Sequence, residues 1–380
     1  MRKLYTLFLY VVLTVFAVPT FAAVADNNLY PHDHTLVKSR LESMETVIKP
    51  VFHPSVFRYI ESYMYRARLD TRLLVGKSTV YFPVFEHYLQ LYGLPTELKY
   101  LSAWESRLNT TAKSPVGAAG LWQMMPATAR KYGLTVNGQT DERLDPHKST
   151  EAAVLYLADL YEMFGDWTLV CAAYNCGEGR VLKAVKTGGT RDYWQLRRYL
   201  PKETLEYIPA ILATTYAIQY YGYYDIRPKY PFYDEQLLRT SVIYYATTLR
   251  EVAKMTGLSK KKLAMLNPSY RSGNIPANRN GNYLRLPERE TVRFRDLWSA
   301  KKRRRKMQSQ VAYAPDAPAS YPVLCVVKPG DTLDYLARLY KVPVKKIIEW
   351  NDLQTNRLTA FQELLIRIPV QDKSVKRKRM

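Results

Sequence analysis

The chain has 380 residues, 47% of them hydrophobic, with 32 tyrosines and a formal net charge of +22. That apolar content excludes a disordered chain, and the length exceeds what one compact core holds, so two or more domains are expected. The three cysteines, Cys171, Cys176 and Cys325, exclude a disulfide framework. Cys171 and Cys176 lie close enough to invite a bridge, but both read as buried apolar residues.

Arg2 and Lys3 precede an apolar run from Leu4 to Val18, and Ala23-Val24-Ala25 offers a small-residue cleavage site. This reads as a secretory signal over residues 1–25, cut after Ala25 or Ala22. The run is short for a bilayer-spanning anchor. No cysteine follows to accept a lipid and no later stretch is apolar enough to span a membrane, so the expectation is an exported protein of the periplasm or cell envelope. Residues 26–80 show weak helical periodicity through Val56, Ile60, Tyr63 and Ala67, and are expected as one or two helices wrapped on the next domain. His32 and His34 lack a third ligand, and His53, His87 and His147 have no companions, so no metal is assigned.

Leu94 to Pro126 carries the clearest signal. Leu94, Leu98, Leu101 and Leu108 share one face at helical spacing, and Glu105 takes a slot on that apolar face. Burial there disfavours the ionised carboxyl and raises its pKa, as a general acid near neutral pH requires. The small residues that follow, with Gly117 and Gly120 around two alanines, let backbone approach a ligand. They lead to Trp122, read as an aromatic ring for a sugar face, and to Gln123 and Met124. Beyond them, Ser149 or Thr150 is expected to cap a helix over Glu151 to Phe164, and Asp166 to cap an apolar helix that stops at Asn175.

Glu105-Ser106, the run from Gly117 to Pro126, and Ala173-Tyr174-Asn175 together resemble the successive signatures of soluble-lytic-transglycosylase domains. The resemblance covers roughly Tyr81 to Tyr223 and implies a mainly α, lysozyme-like catalytic domain over 81–227. It implies Glu105 as the catalytic acid, Tyr174 as support for its carboxylate, Asn175 as a sugar contact, and Ser106, Gly117, Gln123 and Met124 as cleft residues. Cys176 stands where the family usually has alanine. Glu203 and Tyr207 match a Glu-Thr-x-x-Tyr segment and become candidate substrate contacts, with Thr204 read as a helix cap.

Such enzymes need one carboxylate rather than the usual two, because the substrate's own hydroxyl attacks. No cofactor is implied. A hydrolytic muramidase or chitinase on the same fold is the nearest alternative, and a silent glycan-binding scaffold the more distant one.

From Thr240 the chain reads strand, helix, helix, strand twice, over 240–288 and 323–370. The second unit resembles a LysM module through Gly330-Asp331-Thr332-Leu333, Asn351 and Ile368-Pro369, which implies binding to the N-acetylglucosamine backbone of peptidoglycan. The first has Ala246-Thr247-Thr248-Leu249 in place of the glycine turn. These are small α+β (βααβ) modules joined by a basic and Pro/Ala-rich linker at 301–322 that holds Lys301 to Lys306, with a basic tail at 371–380. An exported chain meets anionic envelope polymers or lipid headgroups rather than nucleic acid, and the basic runs suit those partners.

Overall fold

The computed structural model describes residues 34–308, 320–327, 331–359 and 362–369. The expected leader at 1–25, His32, Gly330 and the tail at 371–380 lie outside the described residues. The chain divides into two compact units. One runs up to Val136 and resumes over Pro146–Tyr230; the other takes Asn137–Asp145 and everything from Pro231 on.

The first unit is helical: α1 (His34–Glu42), α2 (Pro54–Glu61), α3 (Arg68–Leu91), α4 (Lys99–Ser106), α5 (Pro126–Lys131), α6 (Pro146–Phe164), α7 (Trp167–Cys176), α8 (Glu178–Gly188), α9 (Tyr193–Leu196) and α10 (Lys202–Tyr220). One apolar core joins Leu41, Ile60 and Met64 with Leu101, Leu157 and Ile211. The segment expected to end at residue 80 is therefore not a separate wrapping. Helix α3 runs straight through that boundary, and its neighbours upstream supply core side chains. At Gly76 of α3 the chain leaving the unit crosses so closely that a Cβ would sit 1.9 Å from the Lys229 carbonyl oxygen. The Lys229 N–H donates to the Arg72 carbonyl at 2.8 Å, which holds the crossing in place.

Several helix starts differ from expectation. Asp166 caps α7 as expected, accepting from the Leu169 N–H at 2.8 Å. Helix α6 instead begins at Pro146, since proline suits a first helical position, so Thr150 is interior rather than a cap. Helix α10 likewise begins at Lys202 behind Pro201, which places Thr204 inside the first turn. Leu108 is buried but off the helix, because α4 ends at Ser106 and both Arg107 and Leu108 turn left-handed.

The second unit contains α11 (Tyr233–Gln236), β1 (Leu238–Ile243), β2 (Thr247–Thr248), α12 (Leu249–Thr256), α13 (Lys260–Leu266), β3 (Asn274–Ile275), β4 (Asn282–Pro287), α14 (Glu288–Gln308), β5 (Ser320–Val326), α15 (Leu333–Tyr340), α16 (Val344–Asn351) and β6 (Glu363–Pro369). The two βααβ repeats are present, and they share a sheet. Its order is β4-β1-β5-β6, with β1 antiparallel to β5 through Thr240 opposite Leu324. The nine residues Asn137–Asp145 are built into this unit. Asp141 is fully buried, accepts from Arg143 Nε and Nη2 at 2.9 Å each, pairs with Arg271, and donates its N–H to the Ser269 carbonyl. The linker expected from residue 301 begins instead as helix, since α14 carries Lys301 to Lys306. Lysine and arginine are good helix formers, and cations suit a helix C-terminus.

Candidate functional site

Glu105 sits in the last turn of α4, where the helix dipole itself disfavours a negative charge. Solvent reaches part of the residue, yet the carboxyl is packed in protein. Burial raises its pKa from 4.5 to about 7, against the smaller opposing effect of the Tyr207 hydroxyl, which donates to Oε1. Desolvation wins over the hydrogen bond, so near neutrality the group both holds and releases a proton.

The surroundings of that carboxyl come from α7 and α10. Tyr207 of α10 is 3% exposed, and burial followed by the Glu105 charge pushes its hydroxyl well up. Cys171 of α7 is buried beside the same charge, with its thiol pushed up to about 12, chiefly by burial. All three cysteines are free and buried. Tyr174 was expected to support the carboxylate, but its hydroxyl donates instead to the Trp122 carbonyl at 2.7 Å. It feels the Glu105 charge without bonding to it. The direct donor is Tyr207.

The glycine-rich segment forms a tight two-sided loop. Ala119 N–H donates to the Met124 carbonyl at 3.2 Å and Gly120 N–H to the Ala112 carbonyl at 2.9 Å. Gln123 adopts φ 45°, a left-handed conformation uncommon outside glycine, and its Nε2 donates to the Gly120 carbonyl at 2.8 Å. Its amide nitrogen thus shapes the loop. Ser106 is buried and does the same from α4, donating to the Leu121 carbonyl at 2.8 Å alongside Ser102 at 2.9 Å. Trp122 is fully buried, packed on Phe85 and donating to Thr150 Oγ1 at 2.9 Å. This corrects its reading as a ring for a sugar face: an indole surrounded by core cannot meet a ligand. Met124 is buried too, whereas Met125 is exposed. Gly117 lies at the exposed loop tip with φ 95°, and Glu203 is exposed in the first turn of α10.

Asn175 is partly exposed in the last turn of α7, and its Oδ1 accepts from Thr204 Oγ1 at 2.8 Å. The sequence pattern presents Thr204 only as a helix cap. The signal that reveals it is its spacing, three residues before Tyr207 on the same face of α10. The structure therefore gathers Glu105, Tyr207, Tyr174 and Asn175, with Cys171 and Thr204 added, and leaves Gly117 and Glu203 at the surface. Among the described residues, no three His, Cys, Asp or Glu side chains gather as metal ligands.

In the second repeat the expected glycan residues are engaged in the fold. Asp331 pairs at 3.6 Å with Arg239, a buried residue of β1 that also pairs with Glu288 at 2.7 Å. Thr332 caps α15, accepting from the Tyr335 N–H at 3.1 Å, and Leu333 is buried. Asn351 Nδ2 donates to the carbonyls of Ile347 and Leu365 at 2.8 Å each, and its Oδ1 accepts from the Leu365 N–H.

Residues 83–197 match the transglycosylase SLT domain, residues 238–302 the LysM-like domain of lytic transglycosylase MltD, and residues 325–367 the LysM domain. Membrane-bound lytic murein transglycosylase D of Escherichia coli strain K12 is 34% identical over 280 residues, which cover 72% of this chain and 60% of that protein. Soluble lytic murein transglycosylase of the same strain is 34% identical over 127 residues, 32% of this chain and 19% of that one. Among solved structures, the 70 kDa soluble lytic transglycosylase of Escherichia coli is 31% identical over 37% of this chain and 24% of its own, with a TM-score of 0.33. The chain spans about three fifths of the length of the first of these relatives, at 60%. It is a homologue of lytic murein transglycosylase D that carries an SLT domain and two LysM-type modules.

Proposed function

We propose that this homologue of lytic murein transglycosylase D cleaves the β-1,4 bond between N-acetylmuramic acid and N-acetylglucosamine in peptidoglycan, leaving 1,6-anhydromuramic acid ends. The observation that carries the reading is Glu105, a carboxyl raised to about 7 and bonded to Tyr207 rather than to a second acid. Its shift comes from burial and Tyr207, with no contribution from another carboxylate among the described residues. Glycosidases that use water or a covalent intermediate place two carboxyls together. A lone acid of this kind suits a reaction in which the sugar supplies the nucleophile.

In that reaction the protonated Glu105 donates to the bridging oxygen as the C1–O bond breaks. The carboxylate so formed accepts the proton of the muramyl C6 hydroxyl, whose oxygen closes onto C1. No water is consumed, and Glu105 ends protonated as it began. Tyr207 steadies the transient carboxylate. The names of the two relatives reported above, both murein transglycosylases, support this substrate class.

The two LysM-type modules would hold the chain on glycan and raise the local substrate concentration. The basic runs at 301–306 and 373–379 would add attraction to anionic envelope polymers or lipid headgroups, weakening with salt. We place the chain outside the cytoplasm after removal of residues 1–25; no helix among the described residues is long and apolar enough to cross a membrane.

The test is mass spectrometry of sugars released from purified peptidoglycan. Products lighter than the hydrolytic ones by one water support the proposal. Reducing muramic acid ends would make the chain a hydrolase, and absence of release would leave a glycan-binding scaffold.

A further inference from the structure

The Thr204–Asn175 hydrogen bond lies one helical turn from the catalytic carboxyl on both helices that carry it. On α10, Thr204 precedes Tyr207 by three residues; on α7, Asn175 follows Cys171 by four, so each pair shares a helix face. Tyr207 donates to Glu105 Oε1, and Cys171 is near enough to feel the Glu105 charge. Thr204 and Asn175 therefore lie about one turn, roughly 5 Å, along their helices from the residues that face Glu105. That is close to the length of one sugar ring. Asn175 is partly open to solvent, whereas Thr204 is fully buried.

The hydroxyl of Thr204 has one proton, and it goes to Asn175 Oδ1 at 2.8 Å. The neighbouring Cys176 thiol, also buried, donates instead to the Gly177 carbonyl at 3.8 Å. An asparagine amide can flip, exchanging donor for acceptor at nearly equal packing. Fixing Oδ1 toward Thr204 removes that ambiguity and leaves the two Nδ2 protons for another acceptor. The backbone of Thr204 is anchored separately, since its carbonyl accepts from the Tyr193 hydroxyl at 2.7 Å. Losing the side-chain hydroxyl leaves that anchor in place.

We propose that Thr204 is a positioning residue that fixes the Asn175 carboxamide as a donor toward an acceptor oxygen on the sugar beside the scissile bond, with the acetamido carbonyl as the fitting group. This rests on the murein-cleaving reading above. The hydroxyl of Thr204 acts through Asn175 and touches no reacting atom.

The test uses the full chain and soluble glycan strands released from peptidoglycan. Thr204→Val should raise KM and lower kcat/KM by about tenfold, the scale of one hydrogen bond to a partly buried group. The pH midpoint set by Glu105 should stay where it is, and Thr204→Ser should recover most of the loss. In an Asn175→Ala background, Thr204→Val should add less than about twofold, because the two residues act as one unit. Asn175→Asp, which keeps the acceptor for Thr204 but loses the donors, should match Asn175→Ala, and it tests the inference even where the valine variant does not fold. The inference is overturned if Thr204→Val keeps wild-type KM, if serine does no better than valine, if the two effects multiply, or if Asn175→Asp binds normally. A wild-type chain that releases no anhydro sugar would instead overturn the proposed function.

Discussion

Replacing Glu105 by glutamine should abolish cleavage and, in the same molecule, stabilise the helical unit in a pH-dependent way. The native carboxyl binds its proton more tightly than the unfolded one, so between pH 4.5 and about 7 the native state carries more protons. Its contribution to stability is therefore complete below 4.5 and is lost as pH rises through 7. Moving a carboxyl from 4.5 to about 7, at about 1.4 kcal/mol per pH unit, amounts to up to about 3.5 kcal/mol. Glutamine is neutral at every pH and still offers Tyr207 an oxygen to donate to. For a unit of this size that difference corresponds to about 7–14 °C in Tm. Thermal unfolding of both proteins at about pH 4, 6 and 8, at constant ionic strength, would read it. The two curves should meet below pH 4.5, separate between 4.5 and about 7, and keep the full gap at higher pH, with the glutamine protein higher. A gap that stays constant across pH would refute the reasoning, because it would mean that the carboxyl titrates normally.

Cleavage should fall as pH rises through about 7, since the acid must be protonated; in Tyr207→Phe that midpoint should move to higher pH, because the hydroxyl now lowers the pKa, and a pH–rate profile distinguishes the two. Trp122→Ala should cost about 3–5 kcal/mol by denaturant unfolding, as for other large buried rings, and Trp122→Phe should change stability more than KM. Gly76→Ala, whose Cβ would meet the Lys229 carbonyl at 1.9 Å, should lower the Tm of the helical unit. Asn351→Ala and Asn267→Ala should each destabilise the second unit by about 1–3 kcal/mol, read in its own unfolding transition.

The burial of Glu105 was legible because a charged residue stood on the apolar face of a helix, while its reading as an acid rested on the motifs that follow it. Its partner was not. Tyr174 and Tyr207 are both aromatic, both near a turn, and only the packing of α7 against α10 decides which hydroxyl reaches the carboxyl. Trp122 shows the same limit: a tryptophan next to small residues fits a sugar wall or a core, and the hydrogen bond to Thr150 that decides it joins residues far apart in the chain. The excursion of Asn137–Asp145 into the second unit is set by Arg271 and Ser269, more than a hundred residues on, so local pattern carries no trace of it. The basic run was misread for a different reason. Charge density suggested a solvated linker, while the helix propensity of the same residues extends α14.

The two repeats show what the LysM signature encodes in this chain. Asn351 clasps the backbone of α16 and β6, and Asn267 makes the same clasp in the first repeat, donating to Leu263 and Arg285 carbonyls and accepting from the Arg285 N–H at 2.7 Å. Thr332 and Thr248 cap corresponding helices, and Leu333 and Leu249 enter corresponding cores. The first repeat lacks the glycine turn yet keeps every one of these bonds. The recognisable residues are thus those that close a small βααβ core, where a lost backbone partner is expensive. Asp331 goes further: its bond to Arg239 joins the turn of one repeat to a strand of the other, alongside the pairing of β1 with β5. Asp331, Thr332, Leu333 and Asn351 thus all serve the fold of these modules.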